Sequence, residues 1–260
     1  MMTFEQGVQA NGAGSLVDRV CEDLSSLVMQ APLPNGLLPP EHELTARFGV
    51  SRTVLREATK RLESLGLLES RHGVGVRVVR KLHRPVSLLL NVLIPDPHQR
   101  LRQTMEVRQL IEVETARRAA EQGSAETIAE LQRLLEQLER AGSVDEAARL
   151  DVTFHQVLAK AAGNALVELI LDSISELGAE GRKLTLSRTG ILYAARQHRQ
   201  VLEAIERHDP KAAGVAMRNH LTHAAEDLNA QLSDLKSSVQ RAVAAGAKIA
   251  AAKTNPLILR

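Results

Sequence analysis

The chain has almost nothing aromatic with which to build a core: three Phe, one Tyr and no Trp among 260 residues. Its interior has to be made of Leu, Val, Ile and Ala, a set that favours helix packing over a β-sandwich. At this length two domains of ordinary size are expected, each able to bury its own core.

Other features narrow the setting. Cys21 is the one cysteine, so a disulfide framework is excluded and a reducing compartment is expected. The longest apolar run, "VSLLLNVLI" at 86–94, is half the length of a membrane span. The opening "MMTFEQGVQANGAG" lacks the basic-then-apolar order of a secretory signal. The expectation is a cytoplasmic chain with no membrane partner.

Formal net charge is only +2, but its distribution is uneven. Val50 to Arg84 holds nine Lys/Arg against three Glu, a local net of +6 that leaves −4 for the rest of the chain. Such clustering is the electrostatic footprint of a nucleic-acid contact, although a solvated charged face carries the same signal.

Read for organisation, residues 1–14 are expected to form a disordered leader. From Ser15, Leu16, Val20, Leu24, Leu27 and Val28 follow helical spacing, and "APLPNGLLPP" ends that helix. A short helix carries Leu44 and Phe48 and breaks at Gly49. Ser51 is then placed to cap a helix over about 52–65. That helix is amphipathic: Leu55, Ala58, Leu62 and Leu65 share one face, while Arg52, Arg56 and Lys60 lie toward the other. Gly66 ends it, and "LLESRHGVGVRVV" alternates around a glycine-rich tip as a two-stranded hairpin. Helix, short helix, tight turn, basic helix and hairpin together spell a winged helix-turn-helix over 15–80. The basic helix would enter a major groove and the hairpin tip would reach the adjoining backbone or minor groove.

After a linker and connecting helix at 81–98, everything to about 235 reads helical. Segments are expected near 99–122, 125–141, 144–162, 164–187, 191–208 and 210–234, an all-α bundle of about six to seven helices. Residues 236–260 form an Ala-rich tail of weak patterning to which no function is assigned. The fold class expected is mostly α, an N-terminal winged helix-turn-helix with a small hairpin wing followed by a helical bundle.

Three histidines sit where solvated histidines do not. In "LDVTFHQVLAKAA", Asp151 and His155 share a face with Phe154, Leu158 and Ala162. His198 shares its face with Val201, Leu202 and Ile205, and His220 with Ala213, Met217, Leu221 and Ala224. One such histidine is ordinarily a satisfied core residue. Three from separate helices, with an aspartate four residues before one of them, suit a divalent ion of the Zn, Ni or Mn class, because buried polar groups need partners. His208, at a helix end, and His223, on a polar face, read as solvated.

These motifs resemble a known family. "LLPPEHELTARFGVSRTVLREATKRLESLGLLESRHGVGVRVV" is similar to the winged-helix domain of GntR-type transcription regulators. "EVRQLIEVETARRAA", "DVTFHQVLAKAAGN" and "HRQVLEAIERHDPKAAGVAMRNHL" resemble the ligand-binding domain of the FadR-type (FCD) branch. The resemblance covers about 15–234. It implies that Arg52 and Arg56 contact bases and phosphates with Thr53 beside them, and that His72 and Gly73 form the wing tip. His42 stands where the family usually has an arginine, which would alter operator preference because His does not pair bidentately with guanine. The same resemblance points to Asp151, His155, His198 and His220 as metal ligands and to Arg108 as the group that grips a carboxylate effector. An intrahelical pair with Glu112 is the alternative for Arg108. Asn164, at a helix start, is either an N-cap or a line into the effector pocket.

The expected function is a homodimeric, ligand-responsive transcription regulator, a repressor, on pseudo-palindromic double-stranded operator DNA, with a small organic acid as effector. A metalloenzyme and an architectural DNA-binding protein with a structural metal are the competing classes. Against an enzyme stands the lack of a Gly-rich phosphate loop, a GxSxG or a cysteine nucleophile near the histidines.

Overall fold

The structure is a computed structural model and describes residues 15–30 and 33–253, with the side chains of 30, 34, 239 and those from 242 onward outside that description. The expected leader, 1–14, and the last seven residues of the expected tail therefore lie outside the described residues. The chain divides at Leu88 into two compact units.

The first unit begins with α1 (Leu16–Gln30), a single 3-10 turn (Pro34–Gly36), α2 (Glu41–Phe48) and α3 (Arg52–Ser64), followed by β1 (Leu68–Arg71) and β2 (Gly75–Val78). Val20, Leu24 and Val28 of α1 meet Leu44 of α2 and Leu55, Ala58 and Leu62 of α3 in one aliphatic core. The turn between α2 and α3 depends on Gly49, which takes a left-handed φ of 64°. Ser51 then accepts a hydrogen bond from the Val54 amide and caps α3, which starts at the next residue. Gly66 is the second position where only glycine fits. Its φ is +75°, and a Cβ there would lie 2.3 Å from the Lys81 carbonyl oxygen. The antiparallel hairpin pairs Leu68 with Val78 and Arg71 with Gly75. The Leu38 amide bonds the Val76 carbonyl at 2.8 Å, anchoring the segment before α2 to the wing. This is the winged helix-turn-helix that the alternation and glycine breaks predict.

The division falls inside α4 (His83–Leu93), which starts within the stretch read as a basic linker; Pro85 sits in its first turn, where no backbone donor is needed. The second unit then holds α5 (Pro97–Gln122), α6 (Ala125–Glu139), α7 (Val144–Ala161), α8 (Ala165–Thr189), α9 (Ile191–Glu206) and α10 (Pro210–Lys253). α5 packs on α7, α8, α9 and α10, and α6 closes against α7 and α9. The core is Leu and Ala, with Phe154 the one aromatic side chain buried in it. Asp96, Ser124 and Ser143 cap α5, α6 and α7. α10 runs on to Lys253, so that most of the stretch expected as an Ala-rich tail continues this helix. Alanine has the highest helix propensity, and no proline interrupts the run before Pro256. No helix among the described residues is long and apolar enough to cross a membrane.

Candidate metal centre and DNA-contacting surface

In the first unit, α3 presents its basic face to solvent. The side chains of Arg52 and Arg56 are 72% and 67% exposed, and Thr53 is exposed between them. Their carboxylate neighbour is Glu41 at the start of α2, with Arg56 Nε donating to Oε2 at 3.0 Å and Arg52 Nε at 3.8 Å from Oε1. It is not Glu57 or Glu63: Glu57 holds Arg61, and Glu63 accepts from the Ser70 amide. Exposed ion pairs of this kind contribute about 0–1 kcal/mol, so phosphate can displace Glu41 at little cost. His42 is exposed beside Glu41. His72, Gly73 and Val74 form the turn at the wing tip, all exposed, with Gly73 at a φ of 73°. A groove lined by Pro40, Glu41, Arg56, Lys60, Gly73 and Val76 runs between α3 and the wing.

In the second unit, α7 delivers Asp151 and His155, α9 delivers His198 and α10 delivers His220. All four are buried, and one ligand-type atom from each lies within 4.8 Å of the others. Hydrogen bonding explains which nitrogens face inward. His155 Nδ1 is 2.5 Å from Glu112 Oε2. His198 Nδ1 donates to the Ala194 carbonyl at 2.8 Å, and His220 Nδ1 donates to Gln197 Oε1 at 3.1 Å. All three partners are acceptors, so each neutral ring carries its hydrogen on Nδ1 and its lone pair on Nε2. His155 Nε2 then stands 3.3 Å from His198 Nε2, which is 3.2 Å from Asp151 Oδ1. These are lone pairs aimed at lone pairs, an arrangement that asks for a cation.

The electrostatics agree. Burial pushes the His220 pKa well below its usual value, with His198 and His155 adding to the effect, so His220 is neutral. Burial likewise lowers His155 and outweighs the opposing pull of Glu112. Burial alone would raise the Asp151 carboxyl, but contact with His198, His155 and Arg182 holds it well below the usual carboxylate range. Neutral imidazoles and an ionised carboxylate are the forms that bind a metal. Ligand bonds of about 2.1 Å place donor atoms roughly 3–4 Å apart around an ion, so the four residues fit a divalent ion with a small contraction.

The sequence-expected residues separate here. Arg108 is buried and makes the anticipated pair with Glu112, its Nε donating at 2.6 Å, while its Nη2 also reaches His155 Nε2 at 3.2 Å. The intrahelical pair is thus real, but it lies inside the site rather than on the surface. Asn164 is exposed, accepts from the Leu166 and Val167 amides as the cap of α8, and is not brought to the cavity. His208 is not simply solvated: its Nδ1 donates to the Ala120 carbonyl at 3.1 Å. His223 is exposed but lines the cavity beside the Asp151 and histidine cluster. Sequence reasoning missed Arg182 and Gln197, and named Glu112 only as an intrahelical partner of Arg108. The signal for Arg182 was its spacing from Gly178 and Leu186, which puts it on a buried stripe of α8.

A winged helix-turn-helix with exposed arginines on its basic helix, followed by a helical bundle with a buried polar centre, defines a DNA-binding transcription regulator. Comparison with known proteins makes the class specific. The sequence model for bacterial regulatory proteins of the gntR family matches residues 16–78, and that for the FCD domain matches residues 103–223. The Uxu operon transcriptional regulator of Escherichia coli (strain K12) is 31% identical over 220 residues, covering 79% of this chain and 83% of that protein. The HTH-type transcriptional repressor NanR of Escherichia coli (strain K12 / DH10B) is 30% identical, over 79% of this chain and 81% of that protein. The solved structure of Streptococcus agalactiae GntR superimposes with a TM-score of 0.67 at 28% identity, covering 81% of this chain and 99% of that one. The chain belongs to the GntR family of transcription regulators, with an FCD domain as its second unit. These relatives are regulators of transcription, and the metalloenzyme reading is set aside on that ground.

Proposed function

We propose that this chain is a ligand-responsive repressor that acts as a homodimer on pseudo-palindromic operator DNA. In this reading its FCD unit holds a divalent ion of the Zn, Ni or Mn class on Asp151, His155, His198 and His220, together with a small organic acid. The observation that carries the proposal is the convergence of His155 Nε2, His198 Nε2 and Asp151 Oδ1 at 3.2–3.9 Å, with a ligand atom of His220 within 4.8 Å, while the Nδ1 atoms of His198 and His220 are hydrogen-bonded elsewhere and that of His155 lies 2.5 Å from Glu112. The ion would supply a positive centre on which an acid's oxygens can settle.

The chain's own residues do the rest. Arg108 Nη2 now shares the His155 lone pair at 3.2 Å; whatever takes that lone pair releases the guanidinium to a carboxylate. The adjoining cavity holds only about 30 Å³ of space open to water-sized groups. That is room for about two waters, so an acid enters only by displacing the helices that line it. Those helices are α5, α7, α8, α9 and α10, nearly the whole bundle, which is how occupancy of the cavity would be felt at its surface.

A dimer is supported by apolar residues left in solvent. Leu89, Val92 and Leu93 of α4, Leu110 of α5 and Leu166 and Ile170 of α8 are exposed. These three helices also share one small apolar cluster through Leu90, Val107, Ile111, Val167 and Leu171. A second copy related by a two-fold axis would cover such a face. On the DNA, Arg52 and Arg56, with Thr53 beside them, would read bases and hold phosphates, His42 would stand at the groove edge, and His72 and Gly73 would reach the minor groove. Repression is the direction printed for NanR.

The test is metal content by elemental analysis of wild type and His198→Ala. One ion per wild-type chain, lost in the variant, is expected. No ion in the wild type after refilling would overturn the metal and effector reading and leave the DNA-binding assignment untouched.

A further inference from the structure

The cavity beside the four ligands contains a second guanidinium to which the reading above gives no task. Arg182 is 3% exposed, and its Nε donates to Asp151 Oδ2 at 2.7 Å. Nη1 and Nη2 are both buried without a hydrogen-bond partner. The residue lines the same cavity as Arg108, Asp151, Gln197 and His220. A buried cation with two idle donors is costly, and folded chains keep such a group where something binds it. The local sequence also makes room for it. A Cβ at Gly178, one turn earlier, would lie 3.2 Å from Arg182 Nη1 and 3.2 Å from Thr104 Cγ2. Glycine weakens a helix interior, and here it leaves space for the guanidinium.

Charge counting says what the ligand must carry. The buried charges at the cavity pair off: Arg108 with Glu112 at 2.6 Å and Arg182 with Asp151 at 2.7 Å. Two buried arginines face two buried carboxylates, and the three imidazoles are neutral when Nδ1 carries their hydrogen. A divalent ion adds two positive charges to this balanced set and draws on the Asp151 carboxylate that Arg182 now uses. In a water-poor interior that excess has to be matched nearby.

We propose that the effector is a small dicarboxylic acid, with one carboxylate held at the ion site by Arg108 and the other by the free Nη1 and Nη2 of Arg182. The inference rests on the effector reading above and goes beyond it by fixing two negative charges on the ligand. The planar Nη1/Nη2 pair matches the two oxygens of a carboxylate, which a lysine in its place does not.

The experiment is calorimetric titration of the full-length protein, loaded with Zn²⁺ and dialysed free of excess ion. The probes are malonate and succinate against their monoamides, malonamate and succinamate, which keep the size and lose one charge. The diacids are expected to bind more than about tenfold tighter than the monoamides, as two charge-assisted hydrogen bonds require. Arg182→Lys is expected to erase that advantage while elemental analysis still finds its ion. Monoamides binding within about threefold of the diacids in the wild type would overturn the dicarboxylate and leave a monocarboxylate effector standing. Binding of neither kind would remove the effector reading and this inference with it. Should Arg182→Lys lose the ion, the wild-type comparison decides alone.

Discussion

At the scale of single residues, Glu112 separates a surface ion pair from a functional one. It sits four residues after Arg108, the spacing of countless exposed helix pairs, yet both side chains are about 5% exposed or less. Its two oxygens do different work: Oε1 accepts from Arg108 and Oε2 faces His155 Nδ1. Burial would raise its carboxyl pKa, but Arg108 and His155 hold it far below the usual range, so it stays ionised. A carboxylate behind a ligating imidazole fixes the ring and its tautomer, and its loss ordinarily weakens metal affinity about 10–100-fold. Glu112→Gln is therefore expected to weaken the ion by about that factor in a chelator competition, with helix content unchanged by circular dichroism. Unchanged affinity would reduce Glu112 to a counterion for Arg108. The buried cluster itself was legible in the sequence, because Asp151, His155, His198 and His220 each share a helical face with aliphatic residues. Arg182 was not, since a lone arginine in a helix looks solvated until the glycines around it are seen to open space.

At the scale of elements, α3 has its start and its surface set by adjacent residues with separable roles. Ser51 caps it, accepting from the Val54 amide at 3.3 Å, while Arg52 and Arg56 point outward and touch only Glu41 among carboxylates within ion-pair distance. Removing the cap costs about 1 kcal/mol, which in a unit this small lowers the unfolding midpoint by roughly 4–8 °C. Ser51→Ala is thus expected to shift the heat-induced loss of operator binding to lower temperature without changing affinity in the cold. Arg52→Ala is expected to do the opposite, weakening specific binding by about 1–3 kcal/mol at unchanged midpoint. Equal losses on random and operator DNA for Arg52→Ala would argue against base readout. The same locality explains what could be read beforehand. Gly49, Ser51, Gly66 and the alternation after it are short-range signals, and each marks an observed boundary. The C-terminal stretch of α10 lacked an apolar stripe to read, and its composition is rich in alanine, the best helix former. The turn at Pro34–Gly36 was hidden for a similar reason, since the prolines around it announce a break but not its form.

At the scale of the molecule, two cores that share no cluster predict two responses to removing an ion. One core is the aliphatic set of α1, α2, α3 and the wing; the other is the bundle that encloses Asp151 and the three histidines. An ion that binds only the folded bundle stabilises it by about 2.7 kcal/mol at a hundredfold excess over its dissociation constant. A unit of this size gains roughly 2–4 °C per kcal/mol, so the bundle's transition should rise by about 5–10 °C on loading. The DNA-binding unit contributes no ligand and should not move. Calorimetry of the full chain, stripped with chelator and then refilled, should show one transition shifting and one fixed. His155→Ala should abolish the shift while leaving the fixed transition where it was. The variant also separates the ion from general salt effects, which would move both transitions in either protein. Two transitions rising together would mean that the units unfold as one, and that a change in the bundle reaches the recognition helices through stability rather than through geometry. A single mobile transition would leave helix displacement around the 30 Å³ cavity as the route by which an acid acts on DNA binding.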